Sequence, residues 1–191
     1  KLDYLQRTGS FKERGARNAL LKLPPDARRR GVIAASAGNH AQGIAYHAKL
    51  LGIPTTVVMP VFAALIKVTN CRQFGANVVL HGADLTEARA HAGEIAERDG
   101  LTFIHPFDNA DVVAGQGTMG LEILEQTPEV EAIVVPVGGG GLIAGIGTAV
   151  KAKAPHVSIV GVEPDRAACL TEALAQDSPT TVSLSHTLAD G

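Results

Sequence analysis

Short β-branched runs alternating with helix-compatible stretches, each joined by only a few residues, leave this chain few folds to choose from. Val32-Ile33-Ala34-Ala35, Thr55-Thr56-Val57-Val58-Met59, Asn77-Val78-Val79-Leu80, Thr102-Phe103-Ile104, and residues 132–137 and 158–163 read as strands. Residues 41–51, 63–74, 85–98, 115–126 and 142–153 read as the helices between them, with Gly52, Gly75 and Gly100 as stops and Asp84 as a cap. A helix over 13–23 precedes the first strand and another over 167–175 follows the last, leading into a Ser/Thr-rich loop at 178–185. Lys1-Leu2-Asp3-Tyr4-Leu5 looks like part of a strand, Pro24-Pro25-Asp26 ends an element, and Arg28-Arg29-Arg30 reads as a solvated loop. Such alternation predicts an α/β protein with parallel sheets wrapped by helices. No repeat of solenoid length is present.

Composition narrows the function classes. A net charge of −2 and the lack of any basic stripe argue against a nucleic-acid partner. No apolar run is long enough to cross a membrane, so no membrane partner is expected. Cys71 and Cys169 lie far apart without a CxxC pattern, which fits reduced thiols and a cytoplasmic protein. His81, His91 and His105 show no metal-ligand spacing, and His40 and His47, on one helix, have no further ligand placed with them; no metal is expected. With no initiator Met and an abrupt stop at Ala189-Asp190-Gly191, the chain reads as a segment of a longer protein.

In open parallel sheets, ligands sit beyond the carboxyl ends of strands, and two glycine-rich turns fall there. Gly138, Gly139, Gly140 and Gly141 separate the most apolar strand from a helix, so bare N–H groups and a helix N-terminus together offer a phosphate seat. The same stretch fits the permissive dinucleotide fingerprint, with Glu163 where a ribose-binding acid would stand. A nicotinamide-binding domain is therefore the alternative from another class. Ser36-Ala37-Gly38-Asn39-His40 opens a helix and either merely caps it or holds a carboxylate. Lys12 follows Phe11 in Thr8-Gly9-Ser10-Phe11-Lys12. It is either a solvated charge or an amine whose pKa apolar surroundings lower into nucleophilic range, and spacing alone does not choose.

Four stretches in order carry a resemblance: Gly9-Ser10-Phe11-Lys12-x-Arg14-Gly15-Ala16, Ser36-Ala37-Gly38-Asn39-His40-Ala41-Gln42-Gly43, Ala114-Gly115-Gln116-Gly117-Thr118 and Pro136-Val137-Gly138-Gly139-Gly140-Gly141-Leu142. Together they resemble the threonine/serine dehydratases, pyridoxal-phosphate enzymes whose fold is similar to the tryptophan synthase β subunit. The resemblance covers nearly all 191 residues. It implies a small domain over 31–109 and a large, discontinuous one from 1–30 and 110–191, incomplete here, with the cofactor in the cleft between them. Lys12 would form the Schiff base with pyridoxal 5'-phosphate, Phe11 would pack beside its ring, and Asn39 would hydrogen-bond its 3′-hydroxyl. Gly138, Gly139, Gly140, Gly141 and Leu142 would cradle the phosphate. Ser36, Asn39 and His40, with adjacent backbone, would hold the carboxylate of a small hydroxy amino acid.

The activity implied is β-elimination from L-threonine, and from L-serine, giving 2-oxobutyrate or pyruvate and ammonia, with Lys12 as the base at Cα. The enzyme would be a cytoplasmic homo-oligomer. A serine racemase or a 3-hydroxyaspartate ammonia-lyase is the alternative within the class. Serine racemases tend to carry a second serine where this chain has Ala37, which favours elimination. Relatives with a divalent-cation site use positions matching Glu163, Ala167 and Cys169; the cysteine replaces an aspartate, so the resemblance adds no metal. The residue facing the pyridine nitrogen lies beyond Gly191.

Overall fold

In the computed structural model, which describes residues 1–180 and 182, the apolar runs of the first half form one parallel sheet. β1 (Val32–Ala35), β2 (Thr55–Met59), β3 (Asn77–Leu80) and β4 (Thr102–Phe103) lie in the order β3-β2-β1-β4. Val32 pairs with Thr55 on one side and with Thr102 on the other, so β1 is central, and all four of its residues are buried. Its continuous apolar run has that cause: both faces are covered.

Alternate residues of the sheet meet different helices. Val32 and Ala34 pack with Ala16, Ala19 and Leu20 of α1 (Lys12–Lys22) and with Ile44 and Ala48 of α3 (Asn39–Leu51). Ile33 and Ala35 pack with Ala88, Ala92 and Ile95 of α5 (Leu85–Asp99). Val57 and Met59 meet Ala41 and Ala45 of α3 and Val68 and Cys71 of α4 (Leu65–Gln73). The start of α5 is a reciprocal cap: Asp84 accepts the Glu87 N–H at 2.9 Å, while Glu87 accepts the Ala83 N–H at 2.7 Å.

The chain divides into two compact units, Lys1–Gly115 and the residues from Gln116 onward. In the second, β5 (Ala132–Pro136) and β6 (Ser158–Val162) pair in parallel. Gly117 and Gly120 of α6 (Ala110–Gln126) lie against Gly145, Ile146 and Val150 of α7 (Gly141–Lys153), where a side chain would not fit. Burial in β5 alternates: Ile133 and Val135 are covered and Val134 is exposed, although the run is the most apolar strand in the sequence.

Several local expectations are corrected. Residues 1–5 form a 3-10 turn, Asp3–Leu5, and no strand; Asp3 is instead tied by a bidentate pair to Arg14, at 2.7 and 3.1 Å. Residues 25–30 form a short helix, α2 (Pro25–Arg30), whose last turn carries the three arginines read as a loop. Pro25 stands at its first position, where the missing N–H costs nothing. α6 begins at Ala110, five residues before the expected start, because the Asn109 side chain accepts the Val112 N–H at 3.0 Å. The final helix splits into a 3-10 turn, Asp165–Ala167, and α8 (Cys169–Gln176). Of the Ser/Thr-rich loop, residue 181 and residues from 183 on lie outside the described residues.

Candidate active site

α1 places the lysine. Phe11 is the N-cap and Lys12 the first helical residue, with Nζ 5.3 Å from the Phe11 ring centre. Nζ donates to the Pro106 carbonyl at 2.8 Å, and among the described residues no carboxylate pairs with it. Half-buried without a counter-charge, the amine is pushed down by desolvation from its ordinary 10.5 to about 8. Glu13, next in the chain, faces elsewhere: its carboxylate accepts the Thr8 N–H and, at 3.1 Å, the His47 Nε2–H. It thereby ties the turn before Lys12 to α3. α3 crosses close by, since a Cβ on Gly43 would come 3.4 Å from the Lys12 carbonyl.

The turn 36–40 enters α3 from the carboxyl end of β1. Ser36 Oγ accepts the Gly38 N–H at 3.2 Å. Helix geometry leaves the N–H groups of Asn39, His40 and Ala41 without intrahelical acceptors. The His40 ring is fully buried; its Nε2–H donates to the Ile104 carbonyl at 3.0 Å, and its Nδ1 has no partner. Burial, helped by Lys12 and His105, holds this imidazole down at about 4, against the Ile104 hydrogen bond, which pulls upward. A neutral ring with Nε2–H already engaged offers Nδ1 only as an acceptor, so it cannot donate to a carboxylate. The anion-binding capacity of His40 lies in its main-chain N–H.

Asn39 accepts from Lys67 Nζ at 2.9 Å through Oδ1. His105, legible in the sequence only as structural, organises the loop before α6: its Nδ1 accepts the N–H groups of Asp108 at 2.8 Å and Phe107 at 3.4 Å. That loop presents the Pro106 carbonyl to Lys12. Pro106, His105 and Lys67 are therefore additions to the residues picked out from sequence. Nothing local marks a carbonyl 94 positions away as the partner of a lysine.

In the second unit, Gly138 and Gly139 are exposed after β5, and Gly140 is the N-cap of α7. Gly140 has φ +82°, a left-handed conformation that glycine alone adopts without strain. A Cβ on Gly138 would meet no atom within 4 Å, so packing inside the unit does not demand glycine there. What the glycines leave is a bare row of N–H groups at a helix N-terminus, which suits an anionic phosphate. Gly141 and Leu142 open α7; the Leu142 side chain is buried, and only its main chain faces such a group.

Both Glu163 oxygens are engaged. One accepts the Leu170 N–H at 2.7 Å; the other accepts the Thr171 N–H and hydroxyl at 2.9 Å each. It caps α8 rather than standing ready for a ribose. His81 and His91 stack ring on ring at 3.8 Å, and no group of three His, Cys, Asp or Glu among the described residues is placed to hold a metal.

The profile of the family described as pyridoxal-phosphate dependent enzyme matches residues 1–191. The chain belongs to that family. The L-threonine ammonia-lyase of Geobacter sulfurreducens is 51% identical over all 191 residues, which cover 48% of that protein. The processed form of threonine deaminase isoform 2 from Solanum lycopersicum superposes with a TM-score of 0.91 at 46% identity, over 94% of this chain and 49% of that one. Maize serine racemase superposes with a TM-score of 0.92 at 37% identity, over 95% of this chain and 55% of the other. The α/β fold is thus the tryptophan synthase β-like one, and the chain spans about half the length of the curated relatives it matches. The dinucleotide alternative falls with this membership. As a member of a pyridoxal-phosphate family, the chain has residues that suit the group: an amine whose pKa burial lowers to about 8 and a glycine row fit for phosphate.

Proposed function

We propose that the whole protein is a threonine ammonia-lyase, converting L-threonine to 2-oxobutyrate and ammonia and L-serine to pyruvate and ammonia. The observation that carries this reading is Lys12, an amine lowered to about 8 with only a neutral carbonyl for company, in a chain half-identical to a protein named L-threonine ammonia-lyase.

Lys12 would attach the cofactor, Phe11 would flank its ring, and Asn39 would donate to its phenolic oxygen. Gly138, Gly139, Gly140, Gly141 and Leu142 would receive the phosphate on main-chain N–H groups. Pyridoxal phosphate supplies an electron sink for the pair left on Cα. Lys12 Nζ, freed from the cofactor, would take the Cα proton, a role for which an amine lowered to about 8 is suited. Ser36 and the N–H groups of Asn39 and His40 would hold the substrate carboxylate at the start of α3, orienting Cα–H toward the lysine. The division into a small domain, 31–109, and a discontinuous large one from both flanks belongs to the same proposal, as do a cytoplasmic location and a homo-oligomer. No helix among the described residues is long and apolar enough to cross a membrane.

Steady-state assay of the full-length protein on L-threonine, L-serine and 3-hydroxyaspartate, reading 2-oxo acid and D-amino acid separately, tests the assignment. Threonine is expected to give 2-oxobutyrate with little racemisation; racemisation outrunning 2-oxo acid release would reject it. The racemase reading draws on the maize relative and is opposed by Ala37, which puts a methyl in the substrate turn where a proton carrier would be needed. Ala37→Ser is expected to raise the D-serine yield relative to pyruvate, and an unchanged ratio would remove Ala37 from the argument.

A further inference from the structure

Lys67 is not needed by any step above, yet it reaches the residue assigned to the cofactor's phenolic oxygen. Its ammonium donates to Asn39 Oδ1 at 2.9 Å. A lysine only donates, so the amide atom facing it is the oxygen on chemical grounds, and the NH2 is turned away as a free donor. An amide left to itself presents either end, and the two ends have opposite meaning to a ring oxygen carrying negative charge. The NH2 binds such an oxygen; the carbonyl oxygen repels it.

The lysine is itself firmly placed. α4 begins two residues before it, and its neighbours Val68 and Cys71 are buried against Ala41 and Ala45 of α3. One turn further along, Asn70 Nδ2 donates to the buried Gln42 Oε1 at 2.8 Å, a second rung between the same two helices. The first two turns of α4 therefore brace the start of α3 through Lys67–Asn39 and Asn70–Gln42.

We propose that Lys67 is a positioning residue that holds the Asn39 oxygen and so fixes the NH2 end of the amide toward the bound cofactor's phenolic oxygen. This rests on the reading of Asn39 as a cofactor contact. Lys67 acts through Asn39, so its effect vanishes when Asn39 has no amide to orient.

A double-mutant cycle on the full-length protein tests it, with the dissociation constant for pyridoxal phosphate measured by titrating the apoenzyme and following near-visible absorbance. Asn39→Ala and Lys67→Met are each expected to weaken binding about tenfold, the scale of one hydrogen bond to a charged acceptor. Adding Lys67→Met to Asn39→Ala should change it by less than about twofold. Lys67→Arg, which keeps a donor, should recover much of the loss, and apoprotein melting should move little. A Lys67→Met protein that binds normally while Asn39→Ala is weakened overturns the positioning role alone, and so does a double mutant showing the full sum of both losses. If Asn39→Ala itself binds normally, the Asn39 contact fails and the proposal fails with it. Should Lys67→Met not fold, Lys67→Ala takes its place and the same non-additivity is required.

Discussion

Lys12 shows how a local environment changes what a residue can do. At pH 7.5 a lysine titrating near 10.5 carries about one free amine in a thousand, whereas one titrating near 8 carries about one in four. The difference is a gain of more than two orders of magnitude in nucleophile, produced by burial alone. The rate at which pyridoxal phosphate attaches to the full-length apoprotein should therefore rise with pH and level off above about 8; a rise continuing toward pH 10 would show an ordinary, solvated amine. The phenylalanine-lysine pair and the glycine row are visible as letters. The partners of Lys12 and Asn39 are not: Pro106 contributes a main-chain carbonyl, which every residue has, and Lys67 looks like any helix-surface cation until α4 is laid against α3.

At the scale of elements, glycines in helices divide into those that backbone contact requires and those it does not. A Cβ on Gly115 would stand 2.6 Å from the Arg14 carbonyl oxygen and from Gly15 Cα, so α6 meets α1 backbone to backbone. Gly93 of α5 faces open space within 4 Å. Gly115→Ala should destabilise the first unit by roughly 1–3 kcal/mol through forced separation of the helices, while Gly93→Ala should stabilise it by roughly 0.5–1 kcal/mol. Urea unfolding of the two variants reads both signs, and a Gly115→Ala protein as stable as its parent would refute the close approach. The strands β2 and β3 are legible to the residue because β-branched runs end at Pro60 and begin after Gly75. α2 is not, since a proline pair reads as a stop when the second proline in fact begins a helix. Residues 1–5 carry an apolar alternation but pair with no strand among the described residues, and the Asp3–Arg14 ion pair anchors them instead.

For the molecule as a whole, burial in the first unit lowers the pKa of three histidines. His40, His47 and His105 are all held below 6.5, burial being the first cause in each case. The unfolded chain takes up protons on them near 6.5 while the folded chain binds them less readily, His40 only near 4, so their contribution to stability is complete above 6.5 and His40's is lost as pH falls toward 4. His40 alone removes roughly 2 kcal/mol between pH 7.5 and 5 by this linkage. Denaturant midpoints of the full-length protein should fall across that interval, above the range where carboxylates titrate, and His40→Gln should flatten the fall. An unchanged slope in that variant would assign the acid sensitivity elsewhere.

If Lys12 is the base of the proposed function, the neutral carbonyl that receives it would bear on turnover. Had a carboxylate stood there, the amine would be locked as its salt, and every cycle of letting go of the cofactor, accepting a hydrogen and returning would have to break an ionic bond. Pro106 binds the nitrogen whether it carries two hydrogens or three, so the resting place is the same before and after the proton arrives. In that role, one peptide oxygen would let the amine gain and lose its proton without changing partner.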